Sequence, residues 1–167
     1  LCDSFNIPLI FFVDVPGLLI GVESESEAIM RFGIQQRYAL AKATVPIYTV
    51  LVRKCFGVAG GSVFDRAGLN FKIAWPSASW GSLPIEGGVK AAYRREIESA
   101  PDPAAREAEI EAELRALSSP FRTAEAFAVE DLVDPRETRP YLCQFIDAAQ
   151  TRLRTQVGPK SRTGISP

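Results

Sequence analysis

The chain has 167 residues, enough for one domain with its own core, and its 47% hydrophobic and 23% charged residues exclude an intrinsically disordered chain. A formal net charge of −1 leaves no broad basic surface to neutralise nucleic-acid phosphates. Histidine is absent and the three cysteines, Cys2, Cys55 and Cys143, are far apart, which excludes a Ser-His-Asp or Cys-His nucleophile and a Cys/His zinc site within this chain and fits reduced thiols in a cytosol-like compartment.

In chain order, "IPLIFFVDVPG" (residues 7–17) reads as a strand running into a turn at Asp14, Pro16 and Gly17. Its apolar run does not alternate, as expected of a strand covered on both faces. The longest apolar stretch, residues 7–13, is broken by Pro8 and is far too short to span a bilayer. Residues 23–44 predict one helix, with Glu and Ser at the positive end of its dipole and apolar residues at helical spacing. "VPIYTVLV" (45–52) is a second strand, rich in β-branched residues. A glycine-rich run, "KCFGVAGGSVFDRAG" (54–68), follows, and a third strand is expected at 70–75. Residues 84–99 and 101–117 predict two helices separated by Pro101 and Pro103, the second a charged, solvated face or a subunit contact. Residues 120–135 read as a helix leading into a short extended segment at 131–133, and 136–156 as a last amphipathic helix before an irregular tail. The strand–helix–strand order of the first half predicts an α/β fold with right-handed crossovers, and the second half is mostly helical. The chain opens on Leu1 and its only methionine is Met30, so it reads as a piece of a longer polypeptide.

The glycine run has two readings. Small residues at 57–61 permit close contact between a strand and the next helix. Alternatively, they bare main-chain N–H groups at a helix start, which carry the positive end of the dipole and make an oxyanion hole when two aim at one point. The run is neither GxGxxG nor a GK[ST] phosphate loop, so a nucleotide site is not indicated.

Several segments together carry a resemblance. "LCDSFNIPLIFFVDVPGLLIG", the downstream "IMRFG", "ATVPIYTVLVRKCFGVAGG", "AWPSA", "VDPRETRP" and "PKSRTGISP" occur here in order and nearly end to end. They resemble the C-terminal half of the carboxyltransferase (β) subunits of biotin-dependent acyl-CoA carboxylases of the propionyl-CoA and methylcrotonyl-CoA type. The resemblance implies a crotonase-like (ClpP/crotonase) ββα spiral. Residues 1–167 would form part of the C-terminal carboxyltransferase domain with a helical C-terminal region, and the N-terminal domain would lie elsewhere.

It also implies carboxyl transfer from carboxybiotin, borne on a carrier protein or domain, to an acyl-CoA, with no metal in this chain. Val58 and Ala59 match the positions whose backbone N–H groups stabilise charge on the biotin ureido oxygen. Liberated biotin can take the α-proton of the acyl-CoA, which makes a histidine-free chain compatible with the reaction. Gly57, Gly60, Gly61 and Arg31 are the matching substrate-binding positions. Implied partners are a biotin carboxylase or biotin carboxyl carrier subunit, the N-terminal carboxyltransferase domain, and further copies in a homo-oligomer, a hexamer in the family. No nucleic acid or membrane partner is implied, and the expected compartment is the cytoplasm, or the mitochondrial matrix in a eukaryote. Alone, the chain is expected to turn over little or not at all.

Departures from the pattern keep alternatives open. Gly61 stands where the family has an aspartate, Ile20 replaces a proline, and Pro84, which has no N–H, opens a segment that replaces MGAKGA. The chain could serve a decarboxylase running the transfer toward biotin, or be a non-catalytic assembly subunit. Of the remaining candidates, Asp14 reads as a turn cap or loop setter and Glu86 as a helix-start surface charge. Cys55 reads as a buried inert thiol, Trp75 and Trp80 as core or interface aromatics, and Lys160 and Arg162 as a mobile basic tail.

Overall fold

The computed structural model describes residues 1–61 and 69–158; Lys160 and Arg162, with the rest of the tail segment "PKSRTGISP", lie outside them. Among the described residues five strands form one sheet in which every pairing is parallel. They are β1 (Leu9–Val15), β2 (Ile47–Phe56), β3 (Asn70–Ala74), β4 (Ser79–Gly81) and β5 (Asp131–Leu132). The order is β1-β2-β3-β5, and β4 pairs with the last residues of β2 at Lys54–Phe56, beyond the reach of β3.

The centre of the sheet is β2, where Ile47, Tyr48, Val50 and Leu51 are buried. Alternate residues of a strand point to opposite faces, so β2 feeds two cores. Leu51 and Cys55 join Val13, Ala74, Ala78 and Val129 in one cluster. Tyr48 and Val50 join Ile73, Val133 and Phe145 in another. The second is closed by α8 (Thr138–Thr155), which buries Thr138, Phe145, Ala149 and Leu153 along one stripe. Fully burying one such aliphatic side chain stabilises by about 1.5–3 kcal/mol. A third cluster, Ile85, Val89, Ile97 and Ile110, ties together α4 (Gly88–Ala92), α5 (Arg94–Ser99) and α6 (Pro103–Leu117). The charged α6 buries only Ile110, and Asp102 caps it by accepting from the N–H groups of Ala104 and Ala105 at 3.1 Å each.

Three expectations are corrected. The strand at 7–17 is not covered on both faces. In β1 only Val13 is buried, while Ile10 and Phe12 are exposed, because β1 ends the sheet and no described layer packs on that face. The helix expected at 23–44 is two, α1 (Val22–Ser26) and α2 (Ile29–Lys42), separated by Ala28. Ala28 has φ +58°, ψ +35°, a left-handed conformation that a right-handed helix cannot contain. The helix expected at 84–99 likewise divides at Tyr93 into α4 and α5. The sequence reading also missed β4, whose three residues are too few to show a period. Helix α7 (Pro120–Glu125) precedes β5, and a short 3-10 turn, Pro135–Glu137, capped by Asp134, precedes α8.

Candidate active site at the glycine turn

Strand β2 passes without a loop into α3 (Gly57–Gly61). Gly57 makes this possible: its φ is +62°, in the left-handed region where an L side chain is strained. Gly60 serves packing. A Cβ there would lie 2.6 Å from the carbonyl carbon of Cys55 and 2.8 Å from its sulfur. At Gly61 a Cβ would meet nothing within 4 Å among the described residues. The two readings of the glycine run therefore divide by residue: helix–strand contact accounts for Gly60, and the turn accounts for Gly57.

Between these positions stand Val58 and Ala59. Both line a cavity of about 230 Å³ walled by β1 (Phe11, Phe12, Val13, Val15), the following loop (Gly17, Leu18) and α2 (Gly33, Gln36). At Gly33 a Cβ would lie 3.4 Å from Leu18 Cδ1, so the glycine lets α2 approach the loop. Backbone N–H groups in the first turn of a helix have no acceptor inside it, and a low-dielectric surround strengthens what they do to charge. The mostly apolar lining supplies that surround.

Gly57 and Gly61 instead border a second cavity, of about 590 Å³, with Cys55, Trp80, Gly81, Thr123 and Phe127 among its lining. The turn thus stands between two spaces. Gly60 and Arg31 line neither: Gly60 is buried, and Arg31 is exposed on α2 two residues before Gly33.

The frame around the turn is electrostatic. The Asp14 carboxylate accepts from Arg53 Nε at 3.1 and 3.2 Å, from Arg53 Nη2 at 2.9 Å and from the Lys54 N–H at 3.0 Å. These bonds close an irregularity in the β1–β2 ladder. Val13 pairs with Leu51, but Val15, two residues on, pairs with Cys55, four residues on. The Arg53 hydrogen bonds, then that of the Lys54 N–H, hold the Asp14 carboxyl below its usual range. Asp14 therefore sets the loop, as one sequence reading had it, through strand β2 and not as a local turn cap. Glu86, exposed as expected, pairs with Lys54 Nζ at 3.4 Å. Burial pushes the Cys55 thiol up to about 11, which fits an inert thiol. The indoles anchor helices: Trp75 Nε1 donates to Thr138 Oγ1 at 2.9 Å and Trp80 Nε1 to Thr123 Oγ1 at 2.7 Å.

Sequence reasoning missed Gln36, Leu18 and the Asp14–Arg53 link. Their partners lie tens of residues away, and no local period marks them. Among the described residues no group of three or more acidic or cysteine side chains could hold a metal ion.

A parallel sheet with a backbone turn opening into a cleft is the architecture of the crotonase-like carboxyltransferases, and solved members superimpose on this chain. In the crystal structure of the transcarboxylase 12S hexamer, with methylmalonyl-coenzyme A and methylmalonic acid bound, the match has a TM-score of 0.78 at 38% identity and covers 99% of this chain and 32% of that one. The model of the carboxyl transferase domain matches residues 1–164, and the chain belongs to that family. The methylmalonyl-CoA carboxyltransferase 12S subunit of Propionibacterium freudenreichii subsp. shermanii is 39% identical over 161 residues, 95% of this chain and 31% of that protein. The propionyl-CoA carboxylase carboxyltransferase subunit of Haloferax mediterranei is 37% identical over the same length, again 95% of this chain and 31% of that protein. The chain thus spans about a third of the length of the relatives it matches. No helix among the described residues is long and apolar enough to cross a membrane.

Proposed function

We propose that residues 1–167 form part of the C-terminal domain of an acyl-CoA carboxyltransferase and supply the biotin side of its active site. The observation that carries this reading is the placement of Val58 and Ala59 together on the wall of the 230 Å³ cavity, in a chain of the carboxyl transferase family. Pockets for drug-sized ligands measure roughly 300–1,000 Å³, so this one takes a compact ring end and not a whole cofactor. Two glycines, Gly17 and Gly33, are among its lining. When bound, carboxybiotin supplies the carboxyl group.

The chain's own contribution is to bind, orient and exclude water. Backbone N–H groups of Val58 and Ala59 face the ureido oxygen, where they favour negative charge. Phe11, Val13 and Leu18 give the cavity an apolar wall that strengthens that interaction. Gly57 and Gly60 hold the turn in place. Gly61, which carries no side chain, widens the acyl side, and Arg31 lies on the exposed approach along α2. The acyl-CoA thioester site belongs to the N-terminal domain.

Partners follow from the same reading: a biotin-bearing carrier, its biotin carboxylase, and further copies of the subunit. The large exposed apolar residues Phe12, Leu19, Ile20 and Phe32 on β1, its loop and α2 support an assembled state in which some of them are covered.

The test is carboxyl transfer from a carboxylated biotin carrier to propionyl-CoA, with this chain combined with an N-terminal carboxyltransferase domain of the family. Val58→Pro and Ala59→Pro each delete one N–H and are expected to lower kcat by roughly 10²–10³-fold, the usual effect of losing one oxyanion donor. Val58→Ala keeps the N–H and is expected to stay within a few-fold of the parent. Full activity in both proline variants would reject the reading.

A further inference from the structure

We infer that Asp14 is a positioning residue for carboxyl transfer: its carboxylate ties together two walls of the 230 Å³ cavity where the β1–β2 pairing lapses. The inference rests on the proposed function of that cavity and adds to it a residue that does not line it. One wall is β1, through Phe11, Phe12, Val13 and Val15; another is the turn after β2, through Val58 and Ala59. Asp14 stands between Val13 and Val15, and its partners Arg53 and Lys54 lie just ahead of the turn at Gly57.

From Val13 to Val15 the register with β2 moves from Leu51 to Cys55, so β2 is the longer strand across this step. Such irregularities redirect the chain that follows and recur beside active sites. Side chains hold this one from two directions. Ser77 Oγ donates to the Val52 carbonyl at 2.7 Å. The Lys54 N–H donates to Asp14 Oδ1 at 3.0 Å, and the Arg53 guanidinium donates to the same carboxylate through Nε and Nη2. Lys54 also opens the short pairing with β4, three residues before Gly57. The bond to its N–H therefore fixes where the turn leaves the sheet relative to β1. The side chains of Arg53 and Asp14 are 63% and 39% exposed, so the pair adds little stability and its effect is geometric. Displacing a reacting group by about 1 Å can cost about 10²-fold in rate.

The test uses the full chain with the N-terminal carboxyltransferase domain, in transfer from a carboxylated biotin carrier to propionyl-CoA. Asp14→Ala removes the whole link. Arg53→Ala, at an exposed side chain, removes part of it and keeps the test decisive should Asp14→Ala not fold. Asp134→Ala removes another exposed carboxylate–arginine pair, that with Arg136, away from the cavity lining. Expected is a fall in kcat/KM for the carrier of about tenfold in Asp14→Ala and about threefold in Arg53→Ala. The KM for propionyl-CoA, whose site belongs to the other domain, stays unchanged. The double variant is expected to lose no more than Asp14→Ala, because both act through one link, and Asp134→Ala to transfer like the parent. Arg53→Ala or Asp14→Ala equal to the parent, with transfer lost in Val58→Pro and Ala59→Pro, overturns the role of Asp14 and leaves the proposed function standing. A loss in Asp134→Ala as large as that in Asp14→Ala also overturns it, by showing a general structural effect. Full transfer in both proline variants overturns the reading of the cavity, and the inference with it.

Discussion

Gly60 and Cys55 approach so closely that a methyl group on the glycine would stand 2.6 Å from the cysteine carbonyl carbon. This contact packs α3 onto the end of β2. Gly60→Ala is expected to lower stability by about 1–3 kcal/mol, the usual cost of overpacking. Gly61→Ala, one residue on, where a Cβ meets no described residue within 4 Å, is expected to fall within about 0.5 kcal/mol of the parent. Urea unfolding of the pair decides the matter: equal effects would mean that the glycines do not divide as the structure has them.

That division shows what was legible in the sequence. The crowding of small residues at 57–61 was visible, and so were both of its physical explanations. Which glycine served which could not be read, because the answer depends on Cys55 packing back onto Gly60 and on the sign of one φ at Gly57. Strand β2 was legible from its β-branched residues and the final helix from its amphipathic spacing. The uncovered face of β1 was not, since an apolar run looks the same whether its second layer lies within the chain or outside it. Nor was the break at Ala28, where the apolar spacing continues while the backbone turns left-handed. Within the candidate site, Val58 and Ala59 were found by resemblance. Gln36, exposed on α2 beside Gln35, gave no local signal in the sequence.

The Asp14–Arg53 pair predicts a pH signature. Because the folded state lowers the Asp14 pKa below 3.8, the stability it contributes is fully present above about pH 4 and is lost as pH falls through the folded value. Asp14→Asn should therefore be less stable than the parent at pH 7, and the gap should narrow steadily as the buffer is taken below pH 4. The pair is largely exposed, so the effect is modest and salt-sensitive. A gap that is constant from pH 7 to pH 3 would show that the charge of Asp14 does not set the β1–β2 irregularity.

Thiol reactivity separates the cysteines. Cys143 is exposed on α8, whereas Cys55 is buried with its thiol pushed up to about 11. At pH 8 the nucleophilic thiolate of Cys55 is scarce as well as shielded. Titration of the native chain with an aromatic disulfide is expected to modify Cys143 within minutes and to spare Cys55 until denaturant is added. Rapid modification of Cys55 in the native chain, identified by peptide mapping, would contradict its burial against Gly60.

Tyr48 offers the sharpest stability test of the core. Its ring is 1% exposed, stacked on Phe71 at 5.6 Å between centroids and edge-on to Phe145 at 4.9 Å. Burial pushes its phenol up to about 12, and its hydroxyl finds no hydrogen-bond partner among the described residues. A buried hydroxyl without a partner costs about 1–3 kcal/mol relative to leaving it in water. Tyr48→Phe keeps both ring contacts and removes only that cost. It should therefore stabilise by about 1 kcal/mol, which raises Tm by about 2–4 °C in a chain of this size. Tyr48→Ala, which discards the ring, should instead cost about 3–5 kcal/mol. A thermal melt in which Tyr48→Phe falls below the parent would show that the hydroxyl is satisfied in the folded protein and that α8 is held to the sheet by a polar bond as well as by apolar packing.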